Sequence, residues 1–561
     1  MYAIDTETRS LTDQTLVAIT ISDAKSDQII PVRMNTTKNW DEQRVIDYMS
    51  DLIKNNKIIF HNASFDIPVL VRAGVPLSSF SDVEDTLVLA NLFDENIRHG
   101  LKSLAKRYLH RHPKSYKDVA GRGKKQVDFC DVPWEQAQEY AMADSRNTYD
   151  LYMYLIARLD PKVAQLYYTV ERPLLIVIAD MHLHGVTVDV ARVQQLEHEF
   201  SIKMEKVEKE LKKRIPSVNI NSSKQLREYF IDTLKMPVLK RSNKTDKPSV
   251  DSEVLKKYAE TNNIAKHILD YRKWKKLHST FIPALTPAKY NLSTMKGKIY
   301  PSFNQSATTS GRFSSSNPNF QNIPHDDSLG LRGVVVAEDG NVLVGADYSQ
   351  IELRVLAEVT KDSNLMSAYQ DNKDIHQVTA DNCGVARYDA KTINFGLIYG
   401  MGVRTLSKNL GCSFIDADFY VTRYHKTYPG IKHMWKQAER DATTKGYVET
   451  LFGRRRHLSH DFRQKQEFEQ KGELRSIANA IIQGTAADLM KKAIASMYSQ
   501  LAKYDAHIVA TVHDEVIVEC PADKAKQVYA VVHRAMVSAG DSFCVPIEVE
   551  GGIGDDWSQV H

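Results

Sequence analysis

Two acidic side chains near the start of the chain have a spacing that suits metal-ion chemistry. Asp5 and Glu7 lie two residues apart, and alternate residues of a β-strand point to the same face. Such a pair is common on strand surfaces and by itself indicates little. Further along, Asp66 follows an apolar run, and Tyr140 and Asp144 lie four residues apart on a predicted helix, where that spacing places them on one face.

These side chains together could hydrolyse a phosphodiester. Four carboxylates can hold two hard divalent cations through oxygen ligands, and a nearby tyrosine hydroxyl can orient an attacking water. The order of the three segments resembles the DEDD proofreading exonucleases that have a tyrosine in the third motif. The resemblance implies five catalytic residues, of which the four acids bind metal: Asp5, Glu7, Asp66, Tyr140 and Asp144.

A second set of acids lies in the C-terminal half. Asp347 ends the apolar run 341–347 and precedes a stretch with helical apolar spacing, so it is predicted at a strand-to-helix junction. Another apolar run, 508–512, leads to Asp514 and Glu515 and returns as 516–518, which predicts a hairpin with acids at its tip. An acid beside a hairpin turn is ordinarily just solvated. Here Asp347 and Asp514 could meet at one sheet edge, where two metal ions about 3.5–4 Å apart would bridge them.

Between these acids, four side chains recur at helical spacing. Arg387, Lys391, Phe395 and Tyr399 are four residues apart, and on a helix they form one slanted stripe. The two cations lie toward the helix N-terminus, where free N–H groups favour phosphate, and the aromatic rings lie further along. The rise from Arg387 to Phe395 is about 12 Å, which suits the reach from a triphosphate tail to a base.

An ordinary amphipathic helix with buried aromatic rings and exposed cations is the alternative interpretation of this stripe. The polar Asn394 and the glycines Gly396 and Gly400 argue against it, because a purely structural helix rarely contains them. Close approach of a ligand to the backbone would explain both glycines.

These C-terminal segments resemble the three signature motifs of family A DNA polymerases, the group of bacterial DNA polymerase I. The resemblance extends to residues 309–315, 318–324, 374–376, 483–488 and 554–557, and residues 221–226 resemble the thumb of that family. It implies that Asp347 and Asp514 hold two catalytic metal ions, with the main-chain carbonyl of Tyr348 as a further ligand. Glu515 would be a catalytic residue that supports the site.

The same resemblance implies roles in substrate binding. Glu352 would pack beneath the sugar and exclude ribonucleotides, although it could equally be a helix-surface glutamate that pairs with a cation. Phe395 would discriminate against dideoxynucleotides, and Tyr399 would close over the nascent base pair. The implied nucleotide-binding residues are Gln350, Glu352, His376, Arg387, Lys391, Phe395 and Tyr399, with His376, Arg387 and Lys391 on the triphosphate. The implied primer-template contacts are Arg312, Asn319, Gln321, Arg475, Asn479, Gln483 and His513.

Several domains must position these residues. At 561 residues the chain exceeds one hydrophobic core and suggests three or four domains of roughly 150 residues each. Residues 1 to about 155 alternate short apolar strands (16–21 and 58–60) with helical stretches (83–92 and 134–159), which indicates an α/β domain. The predicted fold class is α/β and multi-domain. An RNase H-like exonuclease domain is followed by a right-hand polymerase domain with an antiparallel palm sheet and helical thumb and fingers.

The predicted boundaries are residues 1–158 for the exonuclease domain and 159–561 for the polymerase domain. Within the latter we expect the thumb at about 160–295, the palm at about 296–360 and 440–561, and the fingers at about 361–439.

The bulk composition excludes other classes of protein. No apolar run approaches the ~20 residues that cross a bilayer, and no secretory signal opens the sequence. The five cysteines lack CxxC spacing, which indicates neither a zinc site nor disulfides. A net charge of +4 is too small by itself to indicate nucleic acid. We expect a monomer in the cytoplasm, that of a bacterial host if the chain is phage-encoded, and no membrane partner.

The predicted cofactor is Mg²⁺, two ions per active site, with Mn²⁺ as a substitute. The predicted partners are primer-template DNA and dNTPs, and the candidate replisome partners are a helicase-primase, a single-strand binding protein and a processivity factor. Because the exonuclease motif starts at Asp5, the layout leaves no room for a 5′ nuclease and resembles the replicative polymerases of bacteriophages. One alternative is a 3′-5′ exonuclease whose polymerase half only binds DNA. Another is a non-catalytic DNA-binding protein, which would have no reason to keep two acid clusters.

Overall fold

The structure is a computed structural model that describes residues 1–10, 13–242 and 245–560, apart from the side chains of Lys124 and Asp327. Two separate sheets carry the two sets of acids, one near each end of the chain. No helix in the described ranges combines the length and the apolar character that a bilayer crossing requires.

The N-terminal sheet has five strands in the order β3-β2-β1-β4-β5, with β1 at its centre. β2 and β3 are antiparallel to their neighbours, and β4 and β5 are parallel to theirs. Helix α6 packs across β1 and β2, and α2 packs on β1 and β4. The elements are β1 (Tyr2–Thr8), β2 (Leu16–Ser22), β3 (Asp27–Pro31), α1 (Glu42–Asn55), β4 (Ile58–Phe60), α2 (Ala63–Arg72), β5 (Val83–Asp85), α3 (Thr86–Phe93), α4 (Leu101–Tyr108), α5 (Tyr116–Val119) and α6 (Trp134–Ile156).

Two of the predicted helices have different bounds in the structure. The helix predicted over residues 83–92 is wrong for its first three residues, since Val83–Asp85 pairs in parallel with β4 as the edge strand. The side chain of Asp85 then caps α3 by accepting a hydrogen bond from the Leu87 amide at 2.7 Å. The helix predicted over residues 134–159 ends at Ile156. The predicted strands at 16–21 and 58–60 are confirmed.

A helical arm follows the N-terminal sheet. In it α9 packs along α12, and buried side chains such as Leu211, Phe230 and Tyr258 form a separate small core. The elements of this stretch are α7 (Pro161–Leu166), α8 (Leu174–His184), β6 (Val186–Asp189), α9 (Val190–Arg214), α10 (Ser223–Arg227), α11 (Ser252–Ala259), α12 (Asn263–Lys276), α13 (Ile282–Leu285), β7 (Tyr290–Asn291) and β8 (Lys296–Ile299). A π-helical segment, Tyr167–Glu171, joins α7 to the residues before α8.

The C-terminal sheet is antiparallel, with the order β14-β15-β11-β16. Helix α22 packs on β11, and the long α21 packs on α22, so that one large core joins this sheet to the helices around it. The elements are β9 (Ser302–Asn304), β10 (Ser314–Ser316), β11 (Asn341–Tyr348), α14 (Ile351–Thr360), α15 (Ser363–Gln370), α16 (Ile375–Cys383), α17 (Arg387–Ile398), α18 (Val403–Leu410), α19 (Phe414–Thr427), α20 (Pro429–Lys445), β12 (Tyr447–Glu449), β13 (Arg455–His457), α21 (Glu467–Leu501), β14 (His507–Val512), β15 (Glu515–Pro521), α22 (Ala525–Ala539) and β16 (Val549–Gly554).

Candidate active sites

The first acid cluster lies on the central strand of the N-terminal sheet. Asp5 and Glu7 come from β1, and Asp144 comes from α6, which crosses that strand. One oxygen from each of these three carboxylates lies within 4.8 Å of the others. Asp66 lies in the first turn of α2, and its Oδ1 accepts hydrogen bonds from the Thr6 amide at 3.0 Å and the Thr6 hydroxyl at 2.6 Å. Thr6 therefore ties the fourth acid to the same strand.

The electrostatics of this cluster favour a cation. Burial raises the pKa of Asp5, and the negative charges of Glu7, Asp66 and Asp144 raise it further. Burial also raises the pKa of Asp66, to about 7. Several carboxylates held this close repel one another unless positive charge is present. Oxygen ligands in this number fit a hard divalent ion, so the donor set suits the predicted metal.

Tyr140 lies beside this cluster on α6 and is buried. Its ring packs against Phe129, with the ring centroids 5.8 Å apart, and against Tyr116, with the centroids 6.4 Å apart. Burial and the nearby Asp144 raise the pKa of its hydroxyl, which therefore stays protonated and can donate a hydrogen bond.

Lys102 of α4 also belongs to this cluster, although the sequence did not indicate it. Its Nζ lies 2.8 Å from each carboxylate oxygen of Asp144 and 4.1 Å from the centroid of the Tyr140 ring. No local signal identifies this lysine, because it is one of several cations on a short amphipathic helix and its partner is far away in the sequence.

The second set of acids lies at one edge of the C-terminal sheet. Asp347, near the end of β11, faces Glu515 of β15 on one side and Glu550 of β16 on the other. Asp514 lies at the tip of the hairpin between β14 and β15, and its carbonyl accepts a hydrogen bond from the Tyr348 amide at 3.1 Å. The predicted hairpin and strand-to-helix junction are both confirmed.

Burial is the main cause of the raised pKa values at this edge. The pKa of Asp347 rises to about 6, with a further contribution from Glu550, and that of Asp514 rises to about 7, with contributions from Glu352 and Asp347. Part-buried carboxylates that act on one another in this way suit a divalent ion. The Tyr348 side chain is buried, and its hydroxyl donates to the Met536 carbonyl at 2.8 Å, so only its main chain is available to the site.

Glu515, which lies opposite Asp347 on the neighbouring strand, has two further partners of its own. Its carboxylate accepts a hydrogen bond from Trp557 Nε1 at 2.7 Å and lies 3.6 Å from Arg332, with all three side chains buried. These contacts hold the Glu515 side chain in place next to Asp347. Arg332 and Glu550 are further charged neighbours of the site, and neither lies in a segment from which we predicted a role.

The stripe of cations and aromatic rings lies on α17, so the predicted helix is confirmed as far as Ile398, with Tyr399 as the residue that follows it. Arg387 and Lys391 are exposed, and Phe395 is half-buried. Arg387 forms an ion pair with Asp374, with 2.6 Å between Nε and Oδ2.

The polar and glycine residues of α17 have packing explanations. Asn394 Oδ1 accepts a hydrogen bond from Thr379 at 2.9 Å, and its Nδ2 donates to Nδ1 of the buried His376 at 2.9 Å, which ties α17 to α16. A Cβ at Gly396 would lie 3.0 Å from Cε of Met401. Gly400 has a φ of +68°, and a Cβ there would lie 2.8 Å from the Trp435 ring. Packing thus gives these glycines an explanation of their own, and the approach of a ligand to their backbone stays a prediction.

Glu352 joins the stripe to the acids at the sheet edge. It is buried in the first turn of α14, where it forms an ion pair with Arg312 and accepts a hydrogen bond from the Tyr399 hydroxyl. Glu352 does pair with a cation, but the alternative of a helix-surface glutamate is wrong because the Glu352 side chain is buried. Gln350, which precedes α14, is exposed.

The predicted primer-template contacts lie beside the hairpin that carries Asp514 and on helix α21. Gln321 accepts a hydrogen bond from the His513 amide and donates one to the Thr511 carbonyl, both at 2.8 Å, so it holds the hairpin beside Asp514. His513 and Asn319 are exposed. Arg475, Asn479 and Gln483 are four residues apart on α21 and share one face of that helix. Asn479 Nδ2 donates to the Tyr399 carbonyl at 3.2 Å.

Comparisons with known proteins agree with this arrangement. Residues 190–559 match the family model described as DNA polymerase family A, and residues 2–160 match a model described as 3′-5′ exonuclease. The chain is 34% identical to DNA polymerase I of Pseudomonas aeruginosa over 100% of its own length and 64% of that protein. It is 39% identical to the thermostable DNA polymerase I of Thermus filiformis over 76% of the chain and 52% of that protein.

The chain thus spans about half to two thirds of the length of these curated relatives. The fold is similar to that of the POL domain of Pol1 from M. smegmatis, solved in complex with DNA primer-template and dNTP. The TM-score is 0.86 at 25% sequence identity, over 100% of this chain and 96% of that one. The chain therefore belongs to DNA polymerase family A and carries a 3′-5′ exonuclease domain.

Proposed function

We propose that this chain extends primer 3′-ends with dNTPs under the direction of a template strand, and that it removes mismatched 3′-ends with its exonuclease domain. The observation that carries this proposal is the presence of two separate buried acid clusters on two different sheets. Asp5 and Asp347 each belong to one of them. Two such clusters are needed only if the chain both builds and trims a strand.

The residues present fit divalent metal ions at both clusters. Asp347 and Asp514 would hold them in the polymerase site, and Asp5, Glu7, Asp66 and Asp144 in the exonuclease site. We propose Mg²⁺, with Mn²⁺ as a substitute and two ions per site. When bound, such ions lower the pKa of a coordinated hydroxyl or water and stabilise charge on a leaving oxygen.

The chain's own side chains orient the incoming nucleotide. Arg387 and Lys391, exposed on the first turns of α17, neutralise the triphosphate, and the half-buried Phe395 lies further along toward the sugar and base. Glu352, held by Arg312 and Tyr399, lines the site beneath the sugar. A 2′-hydroxyl there would crowd and desolvate a buried carboxylate, which disfavours ribonucleotides.

The proposed DNA contacts suit an enzyme that is indifferent to sequence. Arg475, Asn479 and Gln483 present one row of donors along α21, and Arg312 lies close enough to His513 to lower its pKa further than burial alone does. Donors of this kind read the shape and the shared acceptors of the minor groove. The M. smegmatis neighbour, which was solved with primer-template and dNTP, supports this class of substrate.

In the exonuclease site the protonated Tyr140 hydroxyl is positioned to orient a water beside the acids. The exonuclease domain at 1–158 and the thumb, palm and fingers at their predicted bounds remain part of this proposal. So does a monomeric state. A replicative role in a bacteriophage, with replisome partners, rests on the sequence layout alone and stays a prediction, since the relatives named above are bacterial.

Paired variants test the proposal against the alternative of a nuclease whose second half only binds DNA. Primer extension and 3′ trimming of a labelled primer-template are measured for Asp347→Ala, Asp5→Ala and the exposed control Asp523→Ala. We expect Asp347→Ala to abolish extension and keep trimming, Asp5→Ala to do the reverse, and the control to keep both. Trimming without extension in the unmodified chain would support the alternative, and loss of both activities in either variant would contradict separate sites.

A further inference from the structure

Lys102 is placed by the fold against the exonuclease acids. Leu101, Leu104 and Ala105 of α4 are buried in the core of the N-terminal domain, which fixes the helix and leaves Lys102 on the side that faces α6. Its side chain is only 29% exposed, and its Nζ contacts both oxygens of Asp144 at 2.8 Å. A lysine that contacts both oxygens of one carboxylate occupies the direction from which a metal ion would approach that carboxylate.

The carboxylates near Lys102 outnumber its single positive charge. Asp144, Asp5 and Glu7 offer oxygens within 4.8 Å of one another, and the lysine lowers the pKa of each of these three acids. The ammonium also lies 4.1 Å from the Tyr140 ring, a cation–π contact that holds it near the cluster even if the ion pair opens.

We propose that Lys102 is the built-in counter-cation of the exonuclease cluster. It offsets part of the negative charge when no divalent ion is bound, and it must release the Asp144 carboxylate when one binds. The inference rests on the proposed exonuclease function, since it concerns the metal ligands of that site. Lys102 is a positioning residue in this scheme. It keeps the acids together in the empty site, and it makes metal binding an exchange of one cation for another.

This exchange has a measurable consequence. A divalent ion that binds beside a fixed ammonium meets repulsion, and its affinity is reduced compared with a site that lacks the ammonium. Removing the charge while keeping the bulk of the side chain should therefore tighten metal binding, whereas a purely structural lysine would leave binding unchanged or weaken it.

The experiment is calorimetric titration of the full chain with Mn²⁺, which reads metal binding and not catalysis. The background variant carries Asp347→Ala and Asp514→Ala, so that the exonuclease cluster is the proposed binding site that remains. On this background we compare Lys102→Met and Lys102→Gln with Lys102→Arg, which keeps the charge, and with Lys106→Met. Lys106 is exposed one turn further along α4. Adding Asp5→Ala to Lys102→Met identifies the binding that belongs to this cluster.

We expect Lys102→Met and Lys102→Gln to bind Mn²⁺ about tenfold more tightly or more, as the removal of one adjacent charge implies. Lys102→Arg and Lys106→Met should stay within about threefold of the background, and Asp5→Ala should remove the gain. Unchanged or weaker binding in both neutral variants would overturn the inference. If the neutral variants do not bind Mn²⁺ more tightly and the unmodified chain does trim 3′-ends, only the inference about Lys102 fails. If the neutral variants do bind Mn²⁺ more tightly but no trimming is detected, the exonuclease proposal fails and the inference about Lys102 is supported.

Discussion

At the scale of single residues, Glu352, Arg312 and Tyr399 form one contact group near the end of α17. Glu352 is buried between Arg312 and Tyr399 and contacts both. Burial and the carboxylate of Glu352 raise the pKa of the Tyr399 hydroxyl, so it remains a donor. A buried carboxylate with two fixed partners has little freedom to move aside, which makes it suited to exclude a bulkier sugar.

Replacing Glu352 should weaken this discrimination. We expect Glu352→Ala to raise the kcat/KM for ribonucleotides relative to dNTPs by about tenfold or more, because it removes both the steric obstacle and the carboxylate that would be desolvated. Single-nucleotide insertion with matched rNTP and dNTP pairs measures this ratio. The exposed Asp523→Ala serves as the control, with an unchanged ratio. An unchanged ratio in Glu352→Ala would remove this residue from sugar selection.

The role of Phe395 can be tested by adding a hydroxyl group to its ring, whereas the Glu352 variant removes a side chain. We expect Phe395→Tyr to raise dideoxynucleotide insertion relative to dNTP insertion by about tenfold or more, because a tyrosine hydroxyl can supply a polar group where the 3′-hydroxyl is missing. Chain-termination ratios on a defined template measure the change. If the ratio does not move, Phe395 does not lie next to the 3′ position of the sugar.

At the scale of elements, helix α17 is positioned by its contacts with α16 and α20. Asn394 ties it to His376 of α16, and the turn that follows packs against Trp435 of α20. Gly400 is required there for two reasons, since its φ is +68° and a Cβ would meet the Trp435 ring at 2.8 Å. The turn that follows α17 therefore requires a residue with no side chain.

A comparison of Gly400 with Gly411, which has a similar φ, separates the backbone effect from the contact with Trp435. Gly411 has a φ of +65°, and a Cβ added there would have no atom within 4 Å. We expect Gly411→Ala to lower the free energy of unfolding by about 1–2 kcal/mol through the backbone alone. Gly400→Ala should cost about 1–3 kcal/mol more than that, since the ring must also move. Urea denaturation of both variants gives the difference, and equal losses would show that the Trp435 contact has no energetic role.

At the scale of the whole molecule, a buried group of charges joins the segment that follows α7 to the long helix α21 and to the residue before β13. Glu171, just after α7, contacts Arg454 and accepts a hydrogen bond from Lys491 of α21 at 2.7 Å. Arg454 also donates to Asp488 at 2.8 Å, and Gln305 donates to Glu171 at 2.7 Å. The two acids balance the two cations, and all four charged side chains are almost completely buried.

Removing one charge from this balanced group should be costly. We expect Glu171→Gln to lower the free energy of unfolding by about 3–5 kcal/mol, because it leaves a buried cation without its partner. The exposed Glu253→Gln, which removes a surface pair with Lys240, should leave the free energy of unfolding nearly unchanged because water screens that pair. Adding Lys491→Met to Glu171→Gln restores the charge balance, and the double variant should lose less than the sum of the single losses. Additive losses would contradict coupling within the group.

The same carboxylate gives the molecule a dependence on pH. Burial would raise the pKa of Glu171, but Lys491 and Arg454 outweigh it and hold that pKa below its ordinary value of 4.5. A carboxylate with a lowered native pKa contributes stability above its ordinary pKa and loses that contribution as the pH falls through the native value. Between about pH 5 and pH 3 the unmodified chain should therefore lose more unfolding free energy than Glu171→Gln. Parallel pH profiles for the two proteins would contradict this role.

Much of the candidate chemistry could be predicted from the sequence, because it depends on local patterns. The period of two placed Asp5 and Glu7 on one face of a strand, and the apolar runs around Asp514 predicted a hairpin. The period of four identified the stripe on α17. Each of these patterns is set by neighbours in the chain, and backbone geometry converts such spacing directly into a shared face.

Only the tertiary structure decided which distant groups meet. Lys102 reaches Asp144 across 42 positions and Glu171 reaches Lys491 across 320, and no periodicity in either segment marks these pairs. The packing of Gly400 against Trp435 and the inward turn of Glu515 toward Trp557 are of the same kind. The physical reason is that burial and electrostatic pairing depend on where the helices and sheets pack, and that arrangement is determined by the whole core at once.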